Sequence, residues 1–208
     1  MSHVRSAFFV GLDLGQAQDY TALCVIEQRY TAKTKTDPAR TDYHLRHLER
    51  FQLGTSYPAV AERVKTLMET PPLAENARLA VDATGVGRPV VDMMDAAGVP
   101  DVTPIVIHGG DSYTYDLGTY RVPKRELAST MQVLLQTARL KIADGLPLSD
   151  VLVREMQAFK VKVNIATGHD SYEAWREGDH DDVVLAVAMA LWLAEHASGF
   201  AFVSLEVI

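Results

Sequence analysis

The chain has 208 residues, 48% of them apolar, and a formal net charge of −7, enough for one good core but short for two full domains, so residues 1–208 are expected to form a single domain. The only cysteine, Cys24, lies in the apolar run Ala22-Leu23-Cys24-Val25-Ile26, which excludes a disulfide framework or a zinc cluster of thiolates and predicts a buried, inert thiol. The acidic balance argues against nucleic acid at first sight, but Arg121 to Lys162 holds eight basic residues against four acidic ones, a local excess of +4 that leaves the rest at −11, as expected for a basic groove beside an acidic site or for a mixed-charge helix face.

Phe8 to Leu12 is a short apolar run ended by Asp13 and Gly15, and Tyr20 to Tyr30 is rich in Val, Ile and aromatic residues; both read as strands. After the polar segment Thr31 to Thr41, Tyr43 to Leu53 alternates weakly as a third strand, and the short links suggest an antiparallel meander. The period then changes. Val60, Val64, Leu67 and Met68 fall on one face of a helix that starts near Ser56 and Pro58. Arg78 to Val81 reads as a fourth strand closed by Asp82, a helix runs from about Pro89 to Gly98, and Val102 to Ile107 forms a fifth strand, so parallel β-α-β connections are expected here.

His108 to Pro123, rich in Gly, Tyr and Asp, reads as a long loop. A helix follows from Lys124, with Leu127, Met131, Leu134, Leu135 and Ala138 on one face, and Leu152 to Phe159 suggests another. Lys160 to Ile165 alternates Lys with Val and reads as an amphipathic strand turning into a hairpin at Ala166-Thr167-Gly168. The last element, about Asp182 to His196, is apolar on nearly every face and should be a buried helix. Its apolar run, Val183 to Ala194, falls short of the roughly 20 residues that span a bilayer. With no signal-like start, the chain is expected to be soluble and intracellular.

Asp13 closes the first strand, Asp82 closes the fourth, and Asp181-Asp182 open the final helix. Ligands gather outside strand ends in open α/β sheets, so these acids could meet. Clustered carboxylates repel unless a cation or protons neutralise them, which makes a hard divalent metal the natural partner. Two such ions about 3.5–4 Å apart can hydrolyse a phosphodiester without a covalent nucleophile. Each acid also has a structural reading: Asp13 and Asp82 as turn formers, Asp181 or Asp182 as an N-cap. His180 beside them reads as an orienting hydrogen-bond partner, and Tyr172 and Trp175 as packing under the hairpin around His169 and Asp170.

The ordered set Gly11-Leu12-Asp13-Leu14-Gly15-Gln16, Asp19-Tyr20-Thr21-Ala22, Val81-Asp82-Ala83-Thr84-Gly85-Val86-Gly87, Val122-Pro123-Lys124-Arg125-Glu126 and His180-Asp181-Asp182-Val183-Val184-Leu185-Ala186 resembles the nuclease domain of tailed-bacteriophage terminase large subunits, from about Phe8 to Leu193. That resemblance implies a ribonuclease H-like α/β fold, with a central mixed sheet of five or more strands flanked by helices and an added β-hairpin. It also implies metal-dependent endonucleolytic cleavage of concatemeric double-stranded DNA during genome packaging. By the likeness, Asp13, Asp82, Asp181 and Asp182 would hold two Mg²⁺ or Mn²⁺ ions, with Asp13 bridging them, and Lys124, Arg125, Lys160 and Lys162 would be DNA contacts. Partners implied are a terminase ATPase domain, the small terminase subunit and the portal protein, in the cytoplasm of a bacterial host. The sequence has no Gly-x-x-x-x-Gly-Lys-Ser/Thr phosphate loop, so no ATPase motor is expected within it, and an isolated domain of a longer polypeptide is favoured over a separately encoded nuclease. Three alternatives remain: a Holliday-junction resolvase-like nuclease, a non-catalytic module docking DNA or a portal, and an ATP-dependent phosphotransferase of the sugar-kinase and actin type, to which Asp13-Leu14-Gly15 also conforms.

Overall fold

The structure is a computed structural model that describes residues 4–15, 19–32, 38–84, 87–165, 181–196 and 203–204. Strands β1 (Val4–Asp13), β2 (Ala22–Thr31) and β3 (Arg40–Arg50) form the expected antiparallel meander. Helix α1 (Tyr57–Met68) follows, its Ser56 N-cap side chain accepting a hydrogen bond from the Ala59 N–H. Next come β4 (Ala77–Asp82), α2 (Gly87–Ala96) and β5 (Val102–His108). The second half holds β6 (Thr114–Asp116), β7 (Thr119–Pro123), α3 (Lys124–Gln136), β8 (Leu140–Ile142), α4 (Ser149–Ile165), α5 (Asp182–His196) and β9 (Val203–Ser204).

All the strands share one mixed sheet in the order β6-β7-β5-β4-β1-β2-β3-β8, with β9 paired to β1. β1 runs parallel to β4, β4 to β5 and β5 to β7, as the alternation of strand and helix requires. Alternation along β1 divides the core into two layers. Phe8, Val10 and Leu12 face α1 and α2 with Val60, Val64 and Met94. Ala7 and Phe9 face the other way, into a layer made with α3, α4 and the wholly buried run of α5. Gly11 shares that second face by the same parity. A Cβ there would stand 1.9 Å from the Ala186 carbonyl oxygen, so only glycine lets α5 lie against β1.

Two expectations are corrected. Lys160 to Ile165 is not a strand but continues α4, because one turn of alternating Lys and Val satisfies helical as well as strand spacing when a helix already precedes it. His108 to Pro123 is not all loop: within it β6 and β7 pair antiparallel across Leu117-Gly118, both at positive φ (46° and 80°). The hairpin expected around residues 167–171, with His169, Asp170, Tyr172, Trp175 and His180, lies outside the described residues. Among the described residues, no helix is long and apolar enough to cross a membrane.

Candidate functional site

Strand parity puts the acids together. Asp13 follows Phe9 and Gly11 on the α5 side of β1, and Asp82 follows Ala80, which packs in that same layer, on β4. Leu12 is in register with Val81, so the next residues, Asp13 and Asp82, end neighbouring parallel strands side by side. Asp13 is buried, and its carboxyl is pushed well above the usual carboxylate range, first by loss of water and then by the charges of Asp82, Asp181 and Asp182. The side-chain contact between the two carboxyls raises Asp13 further and acts in the opposite direction on Asp82. Burial raises Asp82 as well, against hydrogen bonds from Thr84 and the charge of Lys124. The Thr84 N–H donates to Asp82 Oδ1 at 2.7 Å, while Thr84 Oγ1 accepts from the Ile107 N–H at 2.7 Å and ties this turn to β5. Asp82 therefore does both things the sequence offered it: it shapes the turn and faces the cluster.

The α5 N-terminus brings the other two carboxylates, which differ in their surroundings. Asp181 is part-exposed and accepts from Lys124 Nζ at 2.7 Å. Lys124 is the first residue of α3, just after β7, and its side chain is mostly buried, with the ammonium 5.1 Å from the Phe159 ring. Asp182 is buried and held by both arms of Arg50: Nε donates to Oδ2 at 2.8 Å and Nη2 to Oδ1 at 2.9 Å. Arg50 Nη2 also donates to Glu155 Oε1 at 2.6 Å, and Glu155 Oε2 accepts from the Val184 N–H of α5 at 2.9 Å. Burial raises the Glu155 carboxyl to about 7, outweighing that backbone bond and the Arg50 charge, with Asp182 adding to the rise. Arg50 thus links β3, α4 and α5 around one acid, and its guanidinium lies 4.7 Å from the Tyr20 ring centroid.

Arg125 lies apart. It is half exposed and bonded to Asp111 rather than to the acids. Lys160 and Lys162 fall on the last turns of α4, where only the backbone is described. Among the described residues, no group of three or more His, Cys, Asp or Glu side chains already stands as a metal-ligand set.

A family model for the terminase RNaseH-like domain matches residues 10–193, a span that includes Asp13, Asp82, Lys124, Asp181 and Asp182. The chain belongs to the terminase RNase H-like domain family. Among solved structures, the large terminase nuclease from the thermophilic phage G20c matches at 19% identity and TM-score 0.53, covering 89% of this chain and 81% of that one. The human cytomegalovirus terminase nuclease domain, in a Mn-soaked form, matches at 16% identity and TM-score 0.54, covering 96% and 89%. These two likenesses bear out the ribonuclease H-like fold. No curated protein matches the sequence significantly.

Within this terminase RNase H-like domain, the residues that sequence reading missed are Arg50 and Glu155. Arg50 lay inside the strand expected from Tyr43 to Leu53 and is the last residue of β3, and its orientation depends on an irregularity. Val25 pairs with His47 but Ile26 pairs with Leu45, so β3 carries one extra residue at Arg46. The bulge resets the alternation: Leu48 joins Tyr43 and Leu45 on the α5 side, and Arg50 follows it opposite Ala22, whose small side chain leaves room for the guanidinium. Without the bulge, Arg50 would face the α1 side, where its neighbour Glu49 binds Arg63 at 2.7 Å.

Proposed function

We propose that this chain is the DNA-cutting unit of a viral packaging terminase, a Mg²⁺- or Mn²⁺-dependent endonuclease that hydrolyses phosphodiester bonds in concatemeric duplex DNA. The observation that carries the reading is the adjacency of Asp13 and Asp82, one buried and one partly buried carboxyl at the ends of neighbouring parallel strands, with the charges of Asp181 and Asp182 acting on Asp13. Carboxylates that act on one another in this way are costly unless positive charge is supplied. The ammonium of Lys124 at Asp181 supplies part of it, and the raised Asp13 carboxyl marks where negative charge is least tolerated. The donors are hard carboxylate oxygens with no thiolate among them, which suits Mg²⁺ or Mn²⁺. Two such ions, when bound, would activate water and stabilise the leaving oxygen.

The chain's own residues prepare that chemistry. Asp13, on which the charges of Asp82, Asp181 and Asp182 all act, would be the central ligand of a pair of cations. Asp82 is oriented by the Thr84 turn, and Asp181 is within reach of both solvent and Lys124. Arg50 and Glu155 hold Asp182 and the first turn of α5 against β3. The phosphate-contact roles of Arg125, Lys160 and Lys162 are kept as proposals for the rim, along with the ATPase domain, small subunit and portal as partners in a bacterial host cytoplasm.

The test is incubation of supercoiled plasmid with Mg²⁺ or Mn²⁺ beside an Asp82→Ala control. Nicking that needs metal and vanishes in the control is expected. Absence of nicking with either metal, or undiminished nicking by the control, would overturn the nuclease and leave the docking-module reading standing.

A further inference from the structure

Lys124 was expected at the groove as a phosphate contact, but the structure puts its ammonium inside the acid cluster. Nζ lies 2.7 Å from Asp181 Oδ2, its charge also acts on Asp82, and the side chain is only 18% exposed, over the Phe159 ring. The position is enforced by the fold: β7 runs parallel to β5 with Pro123 in register with His108, so α3 starts at the same sheet end as Asp13 and Asp82. A part-buried ammonium among carboxylates neutralises one of them and lowers the cost of their assembly. It also stands where a divalent cation would bind.

We propose that Lys124 is an internal counter-ion that competes with divalent metal for the acid cluster, holding the metal-free site together and leaving Asp181 when metal loads. This inference rests on the metal-site reading above. It differs from a simple phosphate contact in one respect: an internal competitor weakens metal binding, so its removal must strengthen it.

The experiment is Mn²⁺ binding by calorimetry, without DNA, together with thermal melts in chelator and in millimolar Mn²⁺, for wild type, Lys124→Met and Lys124→Arg. Lys124→Met is expected to melt lower than wild type in chelator, to show a larger Mn²⁺-induced rise, and to bind Mn²⁺ about two- to fivefold more tightly, the size of one ion pair that no longer has to open. Lys124→Arg, which keeps the charge, is expected to stay near wild type in affinity. If Lys124→Met loses the same number of degrees with and without Mn²⁺ and its affinity is unchanged or weaker, the ammonium is not a competitor and the inference falls while the metal site stands. If wild type itself shows no heat and no melting shift with Mn²⁺, both fall. Should Lys124→Met not fold, Lys124→Gln is read by the same two measurements.

Discussion

Asp13→Asn separates a carboxyl kept for metal from one kept for a turn. Asp13 is buried beside Asp82 and within the field of Asp181 and Asp182, so its carboxyl holds a proton to higher pH than an exposed aspartate does. Two unit charges 4 Å apart at an effective dielectric of 20 repel by about 4 kcal/mol, which bounds what removing one of two neighbouring charges can gain. Asparagine has the same shape, can donate to Asp82 as the protonated acid does, and needs no proton. Its gain should be about 1–2 kcal/mol at pH 8, or roughly 3–6 °C in melting temperature for a chain of this size. The pH dependence has a definite sign. The folded state holds the Asp13 proton more tightly than the unfolded chain does, so this group's stabilisation is present at low pH and is lost as pH rises from the ordinary carboxylate range through its raised value. In chelator, therefore, the advantage of Asp13→Asn should be small near pH 4 and grow toward pH 8. With millimolar Mn²⁺ the order should reverse, because wild type gains by mass action and the variant loses its central ligand. Scanning calorimetry across pH, with and without Mn²⁺, reads both trends. An Asp13→Asn protein that melts below wild type in chelator at pH 8, or that keeps the full Mn²⁺ gain, would refute the reasoning.

Two other outcomes follow from the packing. Arg50→Met removes the bidentate partner of buried Asp182 and the contact to Glu155, and should cost about 3–5 kcal/mol in urea unfolding, since it leaves acids buried without their cation; a loss below about 1 kcal/mol would mean that the ion pairs do not hold the start of α5. Leu117→Asn should raise stability by about 0.5–1 kcal/mol, because Leu117 is 84% exposed at φ 46° ahead of Gly118, a turn that prefers Asn-Gly; a lower melting temperature would show that the exposed leucine is held by contacts of its own.

Local pattern was enough for much of this molecule. The antiparallel meander, the parallel strands after it, and α1, α2, α3 and α5 could be read because each buries one face, and burial writes a period of 2 or 3.6 into the order of residues. Strand-end and helix-start positions singled out Asp13, Asp82, Asp181 and Asp182, since a carboxylate at the end of an apolar run needs a reason. Cys24 was legible too: it is fully buried in β2 and its thiol is pushed up to about 12. Short elements were not legible. β6 and β8 have three residues each, too few for a period, and the last turns of α4 carry an alternation that suits a strand equally well.

Only the tertiary structure decided how the acids are neutralised. That Asp13 and Asp82 lie side by side depends on the register of β1 on β4, and that Lys124 reaches Asp181 depends on where β7 delivers α3. That Arg50 faces Asp182 rather than α1 depends on one extra residue in β3, which turns the strand over and has no signature in composition or period. The sequence names charged groups one at a time, but their energies depend on distances of a few ångströms between elements far apart in the chain, and those distances are set by the packing of the whole sheet.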